Sequence, residues 1–426
     1  MPFPEEFLHY LWKFRLFEQG QLQTSSGESL QIFSPGIHNK DSGPDFENAR
    51  IKIGEHTWAG NVEIHLKSSD WERHHHQSDK AYENVILHVV YQSDRQILRQ
   101  DQSRIPELIL EDLIPEGAWF RYQELMMSLN WIPCEKLISS LNFAHVDFWL
   151  SRMIVERMES KNGMIKQLLQ EFNGSWDDAF YICIARNFGF KTNALPFELL
   201  ARSISQQILA RHKDNLFQIE ALLFGQAGFL EEKFNDEYPA LLKKEYQFLK
   251  AKYSLISGDK FIWKYLRLRP QNFPCIRIAQ FAALISKSSF LFSKIIEITS
   301  VDELRWLFSD LKINDYWQNH YRFDQPSARS SKKLGEDSIN NILINSVAVS
   351  TFAFSQQMGL QAYMNNALSL LEKIPGETNQ VLNRFNLLGV KADTAFRSQA
   401  LMHLKASYCD HKKCLHCGIG IKLLKQ

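Results

Sequence analysis

Glu63, His65 and Lys67 alternate with apolar residues in one β-type run, and Asp45 stands at the start of an earlier run. In an extended strand this alternation places Glu63, His65 and Lys67 on one face. Two carboxylates on adjacent strands can converge on one Mg²⁺ or Mn²⁺ ion, because hard cations prefer oxygen ligands and retain water for a substrate. A basic side chain two residues past the second carboxylate can hold the attacking water and stabilise phosphorane charge. These residues therefore predict metal-assisted phosphodiester hydrolysis.

The same alternation is also typical of a solvated strand face, on which Glu63, His65 and Lys67 would contact only water. The turn sequence Gly-Pro-Asp-Phe over residues 43–46 favours a site instead, because it places Asp45 at the start of the β-type run that precedes the one with Glu63.

Asp45 on one strand and Glu63 with basic residues on the next, after an N-terminal helix, resemble the D…E-x-K pattern of the PD-(D/E)XK nuclease superfamily. The resemblance implies that Asp45 and Glu63 bind the metal. It also implies that Glu18, expected late in the first helix, is the additional acid that many members carry there. The sequence departs from the pattern because His65 stands at the usual lysine position and the lysine follows at Lys67. Either the catalytic group has moved to one of these residues or the site is inactive.

A run of three histidines, His74–His76, follows the β-type run that contains Glu63. His75 and Asp79 have the i, i+4 spacing that places two ligands on one helix face, which allows an alternative zinc hydrolase with His65 and His88 as further ligands. The run can equally flank the carboxylate site and contact phosphate, or form a solvated turn. His88 lies within an apolar run, and this position favours a buried core histidine.

Cys409, Cys414 and Cys417 form a C-x4-C-x2-C pattern near the C-terminus. The C-x2-C spacing lets two thiolates bind one metal at a tight turn, which predicts a structural site for zinc or a [4Fe–4S] cluster. Candidates for the fourth ligand are His411, His416 and Cys134, of which Cys134 is favoured. Some PD-(D/E)XK nucleases similarly hold a [4Fe–4S] cluster with one distant cysteine, although theirs precedes the nuclease core. The alternative is a frayed tail with free thiols.

The elements that must position these residues are a helix and several short strands. Apolar spacing predicts a helix over residues 4–19 and strands within 29–36, 48–56, 57–69 and 84–93. From about residue 143 the pattern becomes helical almost throughout.

We therefore expect an α+β chain with a small α/β domain over residues 1–135 and a large helical domain over 136–400. A cysteine-bearing tail over residues 401–426 is expected to act as a metal staple. A length of 426 residues favours two or three domains.

Hydrophobic residues make up 45% of the chain and charged residues 23%, which argues against a disordered protein. The net charge of +1 excludes a polybasic tail but allows a local basic groove. No apolar stretch of membrane-spanning length occurs, so no membrane partner is expected. The isolated and clustered cysteines favour a reducing cytoplasm over a disulfide framework.

Long segments along the chain, including SGPDFENARI, WAGNVEIHLKSSDW, YENVILHVVY and YCDHKKCLHCGIG, resemble the bacterial family called domain of unknown function 2851. That resemblance implies no particular activity. The expected function is metal-dependent cleavage of nucleic acid, with nucleic acid as the partner. The alternative is a non-catalytic nucleic-acid or protein-binding module with a structural metal site. Basic residues of the helical region, including Arg269 and Arg277, suit a polyanionic ligand or intramolecular ion pairs.

Overall fold

The chain has a mixed α+β architecture, as expected, in a computed structural model that describes residues 4–115, 117–288 and 290–425. It divides into two units, one of Met1–Trp149 with Lys405–Gln426 and the other of Leu150–Leu404. The division falls after the predicted boundary at residue 135. The cysteine-bearing tail, predicted as a separate segment, belongs largely to the first unit.

Short strands in the first unit build one mixed sheet. The strands are β1 (Leu30–Ser34), β2 (Ile37–His38), β3 (Phe46–Ile53), β4 (His56–Lys67), β5 (Val85–Gln92) and β6 (Glu107–Ile109). Their order across the sheet is β1-β3-β4-β5-β6, with β2 paired to β3. The pairs β1·β3, β2·β3 and β3·β4 are antiparallel, whereas β4·β5 and β5·β6 are parallel.

Strand β4 is covered on both faces where the sequence predicts its chemistry. Val62 and Ile64 are buried on one face, and Glu63 and His65 are buried on the other. The next strand, β5, is buried over residues 85–90, as its nearly continuous apolar sequence predicts.

The parallel pairing of β4 with β5 requires a crossover, because a tight hairpin can join only antiparallel strands. Residues 68–84 provide it with a short helix, α2 (Asp70–Arg73), and two 3₁₀ turns, His76–Ser78 and Lys80–Tyr82. Trp71 anchors the crossover by packing with Val85, Ile97 and Ile105. The histidine run is thereby held close to the sheet.

Helix α1 (Glu5–Phe14) packs on β4 and buries its apolar face, including Phe7, Leu8 and Leu11. It ends before the predicted residue 19, because Arg15 adopts a left-handed conformation with φ of 51°. The other α-helices of the first unit are α3 (Ala118–Met126) and, within the C-terminal segment, α18 (Gly418–Leu424).

Helices make up most of the second unit. Helix α4 (Phe143–Glu171) begins in the first unit, and Ser175 caps the next helix, α5 (Trp176–Phe188), by accepting from the Asp178 N–H. A short hairpin joins β7 (His320–Arg322) and β8 (Gln325–Pro326). The remaining α-helices are α6 (Ala194–Ser203), α7 (Gln206–Ala210), α8 (Leu216–Gln226), α9 (Glu237–Tyr253), α10 (Pro274–Lys287), α11 (Leu291–Ile295), α12 (Val301–Phe308), α13 (Glu336–Ile342), α14 (Ala348–Met358), α15 (Gln361–Lys373), α16 (Gln380–Leu387) and α17 (Ala395–Leu404).

Across the described ranges, no helix is both long enough and apolar enough to cross a membrane.

Candidate metal centre

The two carboxylates predicted from the sequence lie side by side. Strand β3 pairs with β4 so that Phe46 faces Val62, which places Asp45 beside Glu63. The Asp45 backbone N–H donates to Glu63 Oε2 at 3.1 Å, and the Ile64 N–H donates to Asp45 Oδ2 at 2.9 Å. Burial, followed by the charge of Asp45, raises the pKa of Glu63 to about 9.

His65 is fully buried next to Glu63, so the interpretation of this strand face as solvated is wrong for both residues. Lys67 has an exposed side chain at the end of β4, and its backbone N–H donates to Asp70 Oδ2 at 3.1 Å. The alternation therefore yields a buried acid and a buried imidazole, with the lysine at the rim of the sheet.

Several imidazoles surround the Glu63 carboxylate. His65 Nδ1 lies 2.9 Å from His88 Nε2, and His65 Nε2 lies 3.1 Å from His74 Nδ1. Glu63 Oε1 lies 3.6 Å from His65 Nε2 and 3.2 Å from His76 Nε2. One ring nitrogen each of His65, His74 and His76, here called the histidine cluster, lies within 4.8 Å of the other two. We define the metal centre as this cluster together with Asp45 and Glu63.

Two imidazole nitrogens near the carboxylates are buried but make no hydrogen bond. His76 Nε2 is 3.2 Å from Glu63 and His9 Nε2 is 3.3 Å from Asp45, yet neither contact has hydrogen-bonding geometry. The His76 ring is fixed by stacking on Tyr82 with centroids 3.8 Å apart. Buried polar atoms are normally paired, so these nitrogens match a ligand set better than a finished hydrogen-bond network.

Burial also sets the protonation state of the imidazoles. It lowers the pKa of His65 to about 2 and that of His88 to about 3, with further lowering by neighbouring histidines. Burial alone would lower the pKa of His9 as well, but the close contact with the Asp45 carboxylate and the charge of that carboxylate raise it above the usual value. His65 and His88 are therefore neutral at physiological pH, the form in which imidazole binds metals.

The donor set indicates which metals fit. Imidazole nitrogens beside carboxylate oxygens suit Mn²⁺, Fe²⁺ or Zn²⁺. Mg²⁺ favours carboxylates and water over nitrogen ligands, so the histidine cluster adds nothing to a magnesium site. The residues present fit a bound transition metal.

The helix contributes different residues from the one expected. Glu18 lies beyond the end of α1 with an exposed side chain, so α1 does not carry it. Glu5 and His9 of α1 face the centre instead, and His9 Nε2 is 3.9 Å from Glu5 Oε1. Sequence reasoning missed both residues, although their i, i+4 spacing on an amphipathic helix marks them as neighbours.

The predicted pairing of His75 with Asp79 on a helix is wrong, because α2 ends at Arg73. His75 takes a left-handed conformation with φ of 63° and stays outside the cluster, which its two neighbours in the run enter. Asp79 caps the following 3₁₀ turn by accepting from the Ala81 N–H. His88 is buried in β5 as expected, and it supports His65.

A polar cavity of about 390 Å³ opens beside His76. Arg99 lies in its wall, and backbone carbonyls of Val85 and Arg104 accept from the guanidinium at 2.7 and 3.0 Å. A guanidinium held by backbone oxygens keeps its positive charge available to a ligand. The lining residues include Trp71, His76, Asp79, Tyr82, Arg99 and Asp101.

Cys134, Cys409, Cys414 and Cys417, here called the cysteine site, all belong to the first unit. Burial raises the pKa of all four thiols, to about 12 for Cys414 and about 11 for Cys417. Repulsion by the charges of other cysteines adds to this rise for Cys134, Cys409 and Cys414. Among the described residues, only the histidine cluster has three ligand atoms within 4.8 Å of one another, so no three of the cysteine sulfurs lie that close together. Cys183 and Cys275 are buried in helices α5 and α10.

The turn around Cys417 is built to hold a sulfur. The backbone N–H groups of Ile419 and Gly420 donate to its thiol and favour the thiolate form. Gly420 also permits a close approach, because a Cβ there would lie 2.3 Å from the Cys414 carbonyl oxygen. This N–H···S pattern agrees with the metal-binding turn that the C-x2-C spacing predicts.

Comparison with known proteins gives one family assignment. No curated protein and no solved structure matches the chain. A family model described as "Protein of unknown function (DUF2851)" matches residues 5–380, a range that includes the whole metal centre and ends before Cys409. The chain therefore belongs to the DUF2851 family.

Proposed function

We propose that this protein is a metal-dependent hydrolase that cleaves phosphodiester bonds in nucleic acid at the metal centre. The proposal depends chiefly on one observation, the convergence of Asp45 and Glu63 beside a buried His76 nitrogen that has no hydrogen-bond partner. Carboxylates and imidazoles around one point form a ligand set that can activate water.

The arrangement of elements supports the nuclease class. A helix precedes the strands, Asp45 enters β3, and Glu63 lies in the adjacent β4. This order is the one that the resemblance to PD-(D/E)XK nucleases implies. The departure at position 65 has a physical counterpart, because the buried His65 adds a nitrogen donor where that pattern has a lysine.

The residues of the centre have distinct roles in the proposed reaction. Asp45, Glu63 and the histidine cluster would hold the ion, which supplies Lewis acidity and a lowered pKa for bound water. His88 fixes the ring of His65 through the contact between their nitrogens. Asp45 raises the pKa of His9 against the effect of burial, and the protonated form that this favours can offset negative charge on the phosphorane. Arg99, in the adjacent cavity, can bind a substrate phosphate.

The test is cleavage of labelled single- and double-stranded DNA and RNA with Mn²⁺, Mg²⁺ or Zn²⁺. The wild-type protein is compared with Glu63→Gln and Asp45→Asn. Glu47→Gln is the matched control, because Glu47 is an exposed acid on β3. We expect cleavage by the wild type and the control, and a loss of about a hundredfold or more in the two site variants.

Equal cleavage by Glu63→Gln and the wild type would show that the activity resides elsewhere. A folded, metal-loaded protein that binds nucleic acid without cleaving it would favour the alternative, a non-catalytic binding module. Binding would then persist in the presence of a chelator.

The cysteine site supports a separate proposal, a structural metal that ties the C-terminal segment to Cys134. The N–H donors aimed at Cys417 are its main support. Four protein thiolates leave no open position, so the role would be structural. Metal analysis of purified protein, with visible absorption to distinguish an iron–sulfur cluster from zinc, tests this proposal.

A further inference from the structure

A second polar cavity lies in the helical unit, within residues 190–378, and does not belong to the metal centre. Its volume is about 600 Å³, in the range of sites that hold small molecules. Amide and hydroxyl groups make up much of its wall. The lining residues include Gln271, Asn272, Gln280, Asn340, Asn341 and Thr378.

Arg277 is the one deeply buried charge among the residues that line this cavity, with only 4% of its surface exposed. Its guanidinium donates to Gln280 Oε1 at 3.0 Å, Asn272 Oδ1 at 2.6 Å and Ser338 Oγ at 3.0 Å. All three acceptors are neutral, and Nε makes no hydrogen bond. Within the described parts of the chain, no carboxylate forms an ion pair with Arg277.

The buried guanidinium of Arg277 destabilises the fold unless a counter-ion balances its charge. Burial lowers the pKa of Arg277 to about 10, so the guanidinium still carries its charge at neutral pH. A buried charge without a counter-ion is unfavourable, and neutral acceptors position it without neutralising it. Phe190 supports the guanidinium by stacking 4.5 Å from Cζ, and its own backbone takes a strained φ of 49°.

We infer that this cavity binds a small organic phosphate, with the phosphate group at Arg277. Guanidinium groups are well suited to phosphate oxygens, and the buried Nε–H of Arg277 makes no hydrogen bond within the protein. The amide-rich wall suits hydroxyl or base groups on the rest of the molecule. The cavity is much larger than one phosphate ion, which favours a ligand of about mononucleotide size.

The charges around the entrance restrict the ligand further. Arg269 and Lys333 are exposed there together with Glu336 and Asp337, and Glu377 is half-buried and accepts from Gln399. The two exposed acids balance the two bases, so the rim has no excess of positive charge that would hold a long polyanion. One phosphate group at the buried arginine, with an uncharged remainder towards the rim, meets these constraints.

Isothermal titration calorimetry at constant ionic strength tests the inference. The probes are inorganic phosphate, a nucleoside 5′-monophosphate, ribose 5-phosphate and succinate, the last as a carboxylate comparison. Wild-type protein is compared with Arg277→Met and Arg277→Lys, and Arg211→Met is the matched control because Arg211 is exposed outside the cavity.

We expect the organic phosphates to bind wild type and Arg211→Met equally, and Arg277→Met about tenfold or more weakly. Arg277→Lys keeps the charge without Nε and should bind with intermediate affinity. Tighter binding of succinate than of either organic phosphate would reassign the site to carboxylates and overturn the phosphate inference.

Absence of binding to the wild type at millimolar probe would also overturn it, and that result does not depend on how the variants fold. Equal binding by Arg277→Met and the wild type would place the ligand elsewhere. The cavity and the metal centre are tested by different probes and variants, so either proposal can fail alone.

Discussion

Replacing Glu63 with glutamine in the metal-free protein should change how stability depends on pH. Glu63 is 4% exposed, and burial with the nearby Asp45 charge raises its pKa to about 9 from a usual 4.5. Between these two values the native protein holds a proton that the unfolded chain has released. Stability from this group is therefore fully present below about pH 4.5 and is lost as the pH rises towards 9.

The expected magnitude follows from the width of the pH interval. Each pH unit between the two pKa values changes the free energy of unfolding by about 1.4 kcal/mol for one group. Between about pH 5 and about pH 7.5, Glu63 should therefore lower the free energy of unfolding of the wild type by about 3 kcal/mol. Glutamine resembles the protonated acid and does not titrate, so Glu63→Gln should gain that amount relative to the wild type over this interval.

Urea unfolding in chelator at both pH values measures this difference. Other groups titrate in the same range, but those that lie away from Glu63 cancel when the variant is compared with the wild type at each pH. Glu47→Gln, an exposed acid on the same sheet, should show a constant difference. A Glu63→Gln difference that does not change between the two pH values would refute a buried, proton-holding carboxyl. Saturating Mn²⁺ should reverse the preference, since binding requires the ionised acid.

Three further predictions concern the two candidate metal sites and the strand that supports one of them. His76→Ala should weaken Mn²⁺ or Zn²⁺ binding about tenfold or more in calorimetry, whereas His75→Ala, at an exposed neighbour, should not. Cys417→Ala should lower the metal content of purified protein by one structural metal site, and Cys275→Ala, in a buried helix, should leave it unchanged. Gly60→Ala should destabilise the protein by about 2 kcal/mol or more in urea unfolding, because its Cβ would lie 2.4 Å from a neighbouring side chain and 2.7 Å from a backbone oxygen. Unchanged binding, content or stability in these variants would contradict the corresponding assignment.

Much of the first unit follows from local pattern. Alternating apolar residues predict the strands around residues 30, 50 and 62, a continuous apolar run predicts the one around residue 87, and the structure places strands at all four positions. The pairing of Asp45 with Glu63 was predictable because consecutive strands joined by a short turn pair antiparallel. The helix cap at Ser175 is also a local feature, because a cap depends only on the few residues around it.

Other features depend on contacts far apart in the sequence. The helical pattern of the first helix continues past Phe14, yet the left-handed Arg15 ends the helix and leaves Glu18 outside. The spacing of the histidine run gave no reason to prefer its outer members over His75. The crossover made that choice, because the conformation of His75 turns it to solvent while Tyr82 fixes His76.

By itself, the sequence determined the chemical types present and their local spacing: two carboxylates on successive strands, an alternating histidine, and a C-x2-C turn. These depend on interactions over a few residues, which composition and periodicity reveal. The tertiary structure alone decided which histidines surround Glu63 and which thiols lie close enough for their charges to interact. It alone showed that Arg277 is buried among neutral oxygens. Burial and the absence of a counter-ion are properties of a packed environment, to which residues distant in the chain contribute, so no local pattern encodes them.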